Sequence, residues 1–317
     1  MVGESSKETR SKVSLTGMED WKWTEADVDH WSREQKPKRS YQDEVVDRVL
    51  ELRGRFEVQQ YGALSQDPKR YPLYVLRSPN FSPDKKTILI TGGVHGYETS
   101  GVQGALGFLE RAAGQFDGKF NFVCVPCISP WAYETINRWN AQAFDPNRWF
   151  RDGSPVEECQ LFLRAMKDVK PFAHFDLHET TDTDNSVFRP AKGERDGKVE
   201  EWSEIPDGFY AVGDSKNPQA GFQKAIIESV RKVTHIAKAD ENGNIIGTPL
   251  EQEGVVNYDL KELNLCAGFS DAAYTTTTEV YPNSPGVTDE ICIDAQIAAI
   301  VGGLNYLLKQ EESSDAQ

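Results

Sequence analysis

From residue 41 onward, apolar positions recur in two alternating rhythms. Val45, Val46, Val49, Leu50 and Leu52 follow helical spacing, and two short β-branched and aromatic runs at 56–61 and 73–76 read as strands separated by polar turns. The chain then alternates, with strands expected over 87–91, 120–125, 172–177 and 272–278 and helices over 100–112, 156–166, 222–233 and 289–308. Alternation of this kind predicts an α/β fold with a mixed, mostly parallel central sheet and helices on both faces. The last helix carries the clearest stripe: Ile291, Ile297, Ile300, Val301, Leu304, Leu307 and Leu308. The first forty residues lack periodicity but hold Trp21, Trp23 and Trp31, so residues 1–40 are expected to form a partly flexible arm or one that docks through its aromatics. A single domain is expected over 41–308, with an insertion around 185–265 that includes an acidic loop at 193–207, and a polar tail over 309–317.

Composition narrows the partners. Hydrophobic residues make up 38% of the chain, enough for a sizeable core. The net charge of −15 opposes binding to nucleic-acid phosphates and to anionic membranes, and because residues 1–40 are neutral the whole excess belongs to the body. The polar start and the absence of a long uninterrupted apolar run lead us to expect no signal peptide, no membrane span and a cytoplasmic location. Five scattered cysteines suit reduced thiols, and Cys124 and Cys127 lie in an apolar run where small buried strand residues are expected rather than a redox pair.

In an open parallel sheet, ligands bind beyond the carboxyl ends of the strands. Four strand exits here are chemically loaded: GGVHGYE with His95 and Glu98, RWNAQAFDPNR with Arg138, Asp145, Asn147 and Arg148, DLHE with His178, and TTTTEVYP with Glu279. His95 and Glu98 are three apart, so one turn can aim both at one point. A histidine from another strand completes the His₂Glu set of a catalytic zinc site with one position left for water. Blander readings compete. Gly92 and Gly93 can serve a phosphate, though neither common phosphate-loop spacing is present. His178 can be a core histidine bonded to Asp176 or Thr180, and His174, on the same strand face, reads as structural. Glu279 can pair with a basic loop residue, and Asp145-Pro146-Asn147 is good turn chemistry.

Taken in order, these motifs resemble the zinc metallocarboxypeptidases of the carboxypeptidase A superfamily, including its succinylglutamate desuccinylase and aspartoacylase branch. The resemblance spans residues 87–282 and implies a carboxypeptidase-like fold with one zinc per chain. It implies zinc ligands in His95, Glu98 and His178, a general base in Glu279, and in Arg138 the arginine that polarises the scissile carbonyl. It further implies that Asn147 and Arg148 hold the substrate carboxylate, that Asp145 orients the first zinc histidine, and that Tyr258 matches a mobile-loop tyrosine. The expected activity is cleavage of an amide beside a free carboxylate in a small peptide or peptide-like substrate. The alternatives are an N-acyl amino-acid deacylase and a non-catalytic zinc-retaining binding protein. DLHE followed by two threonines is closer to the deacylase branch, whereas the Asn147-Arg148-Trp149-Phe150 run is closer to bacterial carboxypeptidases. The long segment between His178 and Glu279 favours a compact substrate.

Overall fold

The computed structural model describes residues 17–315. Helix α1 (Glu25–Glu34), a π turn (Gln42–Val46) and α2 (Asp47–Glu51) precede strands β1 (Glu57–Ala63), β2 (Pro72–Arg77) and β3 (Lys86–Gly92). Then come α3 (Thr99–Arg111), β4 (Phe120–Val125), α4 (Pro130–Thr135), α5 (Glu157–Ala165), β5 (Ala173–Glu179) and α6 (Arg189–Asp196). Strand β6 (Tyr210–Asp214), α7 (Ala220–Val230), a short hairpin of β7 (Asn244–Ile245) and β8 (Thr248–Pro249), β9 (Val255–Tyr258), β10 (Tyr274–Val280) and α8 (Asp289–Asp315) complete the chain. Eight strands form one sheet in the order β1-β2-β4-β3-β5-β10-β6-β9. Its centre, β4-β3-β5-β10, is parallel, and antiparallel pairs join β2 to β4 and β6 to β10.

The central strands are buried on both faces, which explains why 120–125 reads as a continuous apolar run rather than an alternating one. Register places the chemistry. Glu279 on β10 lies opposite His178 on β5, and Tyr210 on β6 lies opposite Glu279. Both β5 and β10 run two residues beyond the expected ends, because His178 and Glu279 keep ladder partners although their polarity hides them from an apolar-run reading.

The turn after β3 depends on glycine. Gly93 has φ +62°, and a Cβ on Gly96 would lie 1.9 Å from the Ala132 carbonyl carbon. This close approach to α4 accounts for the glycines through backbone packing. Arg39 ties the same turn down, donating to the Gly96 and Tyr133 carbonyls.

The arm takes one of its two expected forms, and two other expectations are corrected. The described part of the arm docks: Trp21 packs on Phe144, and Trp23 and Trp31 pack on Trp139, while residues 1–16 lie outside the described residues. The acidic loop is shorter than expected, since its first residues finish α6, which ends at Gly197 in the left-handed conformation. The polar tail is helical through Asp315, because good helix formers continue α8 after its apolar stripe ends; residues 316–317 lie outside the described residues. By length and composition α8 is apolar enough to cross a membrane, yet half of its apolar window is buried, where it packs on α3 and α7.

Candidate active site

His95, Glu98 and His178 converge at the carboxyl ends of β3 and β5, with ligand atoms within 4.8 Å of one another, all buried. His95 Nδ1 lies 2.7 Å from Glu98 Oε1, and His178 Nδ1 lies 2.8 Å from Glu98 Oε2. Both imidazoles therefore turn the same nitrogen inward. Their outer nitrogens are held by carboxylates: His95 Nε2 is 2.9 Å from Asp145 Oδ1, and His178 Nε2 is 2.9 Å from Asp176 Oδ2. A carboxylate on the outer nitrogen fixes the tautomer and leaves the inner lone pair for a cation. Glu98 Oε2 makes no hydrogen bond of acceptable geometry despite its nearness to His178, so a fully buried carboxylate oxygen is left without a donor. Such an atom is costly unless a cation meets it. Burial pushes the Glu98 carboxyl up, but attraction to His95 and His178 outweighs it and holds the group at about 2. Two nitrogens and a carboxylate make a donor set that fits a metal ion.

A cavity of about 480 Å³ opens over this cluster and is lined by His95, Glu98 and His178 together with Arg138, Asp145, Asn147, Arg148, Tyr258 and Glu279. Every residue singled out from the sequence is thus in one place. Burial raises the Glu279 carboxyl to about 7, partly offset by His178 and by the Thr180 hydroxyl, which donates to Glu279 Oε2 at 2.9 Å. Tyr210 Oη in turn lies 2.8 Å from Thr180 Oγ1. A carboxylate poised near neutrality beside a cation site suits proton transfer.

Arg138 is anchored through Nε to Asp145 Oδ2 (3.2 Å) and through one terminal nitrogen to Tyr97 Oη (3.0 Å) and Asp184 Oδ1 (3.4 Å). Asp145 thereby joins the His95 imidazole to the Arg138 guanidinium. Asn147 accepts from the Cys266 N–H through Oδ1 (2.8 Å), which leaves its Nδ2 as the donor for a ligand. Arg148 donates to the Asn147 carbonyl and forms no ion pair with an acid among the described residues, so its charge is available in the cavity. Tyr258 stands on β9, half-buried.

His174 shares a strand face with His178 but belongs neither to the cluster nor to the cavity lining. Its Nε2 bonds Thr91 Oγ1 at 2.8 Å, Thr91 donates to Asp176 Oδ1 at 2.6 Å, and burial lowers the imidazole to about 4. It therefore lies three hydrogen bonds behind His178, with Asp176 serving as the partner that the blander reading of His178 anticipates. Cys124 and Cys127 are buried, and burial pushes the Cys127 thiol up to about 12. Residues not singled out for the site include Asp184, Thr180, Tyr210 and Gln296, whose Nε2 donates to the His178 carbonyl from α8. Thr180 carried a signal through its nearness to His178; Asp184 follows shortly after but meets its partner Arg138 across 46 residues, and Tyr210 and Gln296 come from elements remote in sequence.

Known proteins can now be set beside this geometry. A proposed metallopeptidase of Shewanella amazonensis superposes with a TM-score of 0.62 at 19% identity, over 84% of this chain and 91% of its own. A metallo-carboxypeptidase of Burkholderia cenocepacia gives a TM-score of 0.56 at 17% identity, over 90% of this chain and 70% of its own. In sequence, carboxypeptidase 2 of Trichophyton tonsurans is 27% identical over 144 residues, 40% of this chain and 25% of that protein. The chain thus spans about a quarter of the length of the curated relatives it matches. No family model matches it. The chain is carboxypeptidase-like in fold, with a candidate metal centre at the carboxyl ends of its central parallel strands.

Proposed function

We propose that this chain is a zinc-dependent, metallocarboxypeptidase-like amidohydrolase that cleaves an amide beside a free carboxylate in a small peptide or peptide-like substrate. The observation that carries the reading is the junction, in one cavity, of the His95–Glu98–His178 cluster, the carboxyl of Glu279 and the unpaired charge of Arg148. A zinc ion held by the cluster supplies Lewis acidity and makes water nucleophilic near neutral pH. Glu279 takes the proton of the attacking water and returns it to the leaving amine. Arg138 is assigned to meet the negative charge that grows on the carbonyl oxygen, which its link through Asp145 to His95 supports. Arg148, with the Nδ2 of Asn147, receives the substrate carboxylate through two parallel bonds that a lysine cannot reproduce. Tyr258 closes the same cavity from the insertion.

The second reading is an N-acyl amino-acid deacylase; Arg189, Lys192 and Glu200 of the insertion line the cavity, which supports a compact substrate under either reading. Metal analysis joined to a substrate panel decides between them. About one zinc per chain is expected, with chelation abolishing activity. Release of a C-terminal residue from small peptides supports the first reading, and release of an acyl acid from N-acyl amino acids supports the second. A metal-free preparation with full activity refutes both.

A further inference from the structure

A second cavity, of about 440 Å³, adjoins the first, and the reading above does not use it. Trp31 of α1, Ile136, Trp139, Val187, Phe188 and Pro282 give it a largely apolar wall. Its volume falls within the range of ligand sites, about 300–1,000 Å³. Arg138, Trp139, Glu179 and Phe188 line both cavities, so a single layer divides them, in which the Arg138 guanidinium stacks on the Phe188 ring at 4.6 Å. Asn147 and Arg148 line only the first.

Two features mark the second cavity as more than a packing gap. Ile136 and Val187 remain 40% and 59% exposed at its wall, so large apolar side chains from separate segments meet solvent at one place. Ile136 also has φ +54°, a left-handed conformation that a β-branched side chain adopts only under strain. The α4 terminus imposes that strain through bonds from the Ile136 N–H to the Ala132 and Tyr133 carbonyls. Strain of this kind gathers at ligand-binding sites.

We infer that this cavity seats an apolar group carried by the substrate on the acyl side of the cleaved amide, opposite the carboxylate end. The inference rests on the hydrolase reading, because that reading puts the carboxylate at Arg148 and the carbonyl at Arg138. A substrate so laid carries its acyl side past Arg138 toward the second cavity, where Ile136 and Val187 present exposed apolar surface. Polar side chains such as Lys38, Asn137, Thr181 and Asn283 also line it, but each methylene laid along the apolar part of the wall gains transfer free energy worth about fourfold in affinity. The group is either an aliphatic acyl chain or the apolar side chain of the residue preceding the cleaved bond.

Binding to the full, metal-free chain, followed by titration calorimetry, separates this inference from the function. The probes are N-acetyl-, N-butanoyl- and N-octanoylglycine for the acyl source, and N-acetyl-Gly-Gly against N-acetyl-Leu-Gly for the peptide source. Affinity is expected to rise at least tenfold from acetyl- to octanoylglycine or from the glycyl to the leucyl peptide, and whichever series rises identifies the source. Val187→Asp and Ile136→Asp, at exposed positions where folding should survive, are expected to flatten the rise. Phe81→Ser, an exposed apolar position outside both cavities, is expected to retain it. No rise in either series, or a rise that persists in both aspartate variants, overturns the inference. A rise without turnover by the zinc-loaded chain overturns the hydrolase reading, and with it the assignment to the acyl side, and leaves only the cavity's preference for an apolar group.

Discussion

The strand ends of β3, β5 and β10 and the insertion between β5 and β10 both face the cavity, but they are built in different ways. At the strand ends His95, Glu98 and His178 are buried, and the histidines are cross-braced: Asp145 reaches His95, Asp176 reaches His178, and Gln296 reaches the His178 carbonyl. Ladder register sets which side chains meet, and a one-residue slip of β10 against β5 would turn Glu279 to the other face. The first segment of the insertion, 185–203, is held more lightly, by bonds such as Asn185 to Ser203 and by the partly exposed Lys192–Glu200 pair. Exposed pairs of that sort are worth about 1 kcal/mol or less. The contrast assigns chemistry to the strand ends and selectivity to the insertion.

The hardest test of that division is Glu279→Gln. The amide keeps the size of the carboxylate and can still accept from Thr180, so metal content and melting temperature are expected to stay near wild type. Turnover is expected to fall by about 10²–10⁴-fold or more, since the group moves a proton in both directions. Tyr258→Phe, in the insertion, is expected to act mainly through KM. Parallel assays on one preparation check this, and an equal loss of turnover in Tyr258→Phe would erase the distinction between the two regions.

Next in size are the two arginines. Arg138→Ala is expected to lower kcat by about 10²–10³-fold, the usual loss when a donor to a developing oxyanion is removed. Arg148→Lys keeps the charge but loses the planar two-bond match, so KM is expected to rise with kcat little changed. Steady-state kinetics on a peptide with a free C-terminus separates these outcomes. If both variants alter both constants alike, the roles proposed for the pair are wrong.

The same contrast explains what could be read from the sequence. The central sheet was legible because β3 and β4 are largely apolar, β5 alternates apolar with polar residues and β10 is a run of β-branched threonines, and the site was legible because its groups sit at the ends of those strands or in the loops that follow them. The insertion was not. Strands β6 and β9 are only five and four residues long, and their place in the sheet depends on pairing with β10 and with each other, which no local pattern reveals. Asp184 meets Arg138 and Tyr210 meets Thr180 only because of that pairing and the path of the chain after β5. The arm was half legible: its tryptophans announced docking, but Phe144 and Trp139, the surfaces they dock on, belong to a loop more than a hundred residues away.

Thr180 and Tyr210 probe the seam between the two regions. Thr180→Val removes the hydroxyl that helps to hold the Glu279 carboxyl down, so that carboxyl should titrate higher. A base acts only when ionised. The rising limb of kcat/KM should therefore move to higher pH in Thr180→Val, and by less in Tyr210→Phe, with plateau activity changed by only a few fold. An unmoved limb in both would show that the hydroxyl pair serves packing alone.

The smallest effect concerns a carboxyl as buried as those of the site but outside it. Glu158 on α5 accepts from Asn140 Nδ2 at 3.2 Å, and Asn140 Oδ1 in turn accepts from the Gln142 and Phe144 N–H groups of the loop that presents Asp145. Burial raises the Glu158 carboxyl to about 7 from an ordinary value of 4.5, and no cation faces it closely enough to oppose the rise. Between those two pH values the folded chain holds the proton and the unfolded chain releases it, so this group's contribution to stability declines as pH climbs from about 4.5 to about 7 and stays lost above. The ceiling on that loss is about 3 kcal/mol, from the shift and the usual energy per pH unit. Glu158→Gln takes the neutral form permanently and can keep the bond to Asn140. The variant is expected to melt near the wild type at pH 5 and several degrees above it at pH 8. Some slope with pH should persist, because Glu179 and Glu279 are raised in the same way. Melting curves for both proteins across pH 5–8 check the point: parallel lines would mean that Glu158 is ionised in the folded chain and that the loop behind Asp145 rests on a charge instead of a neutral hydrogen bond.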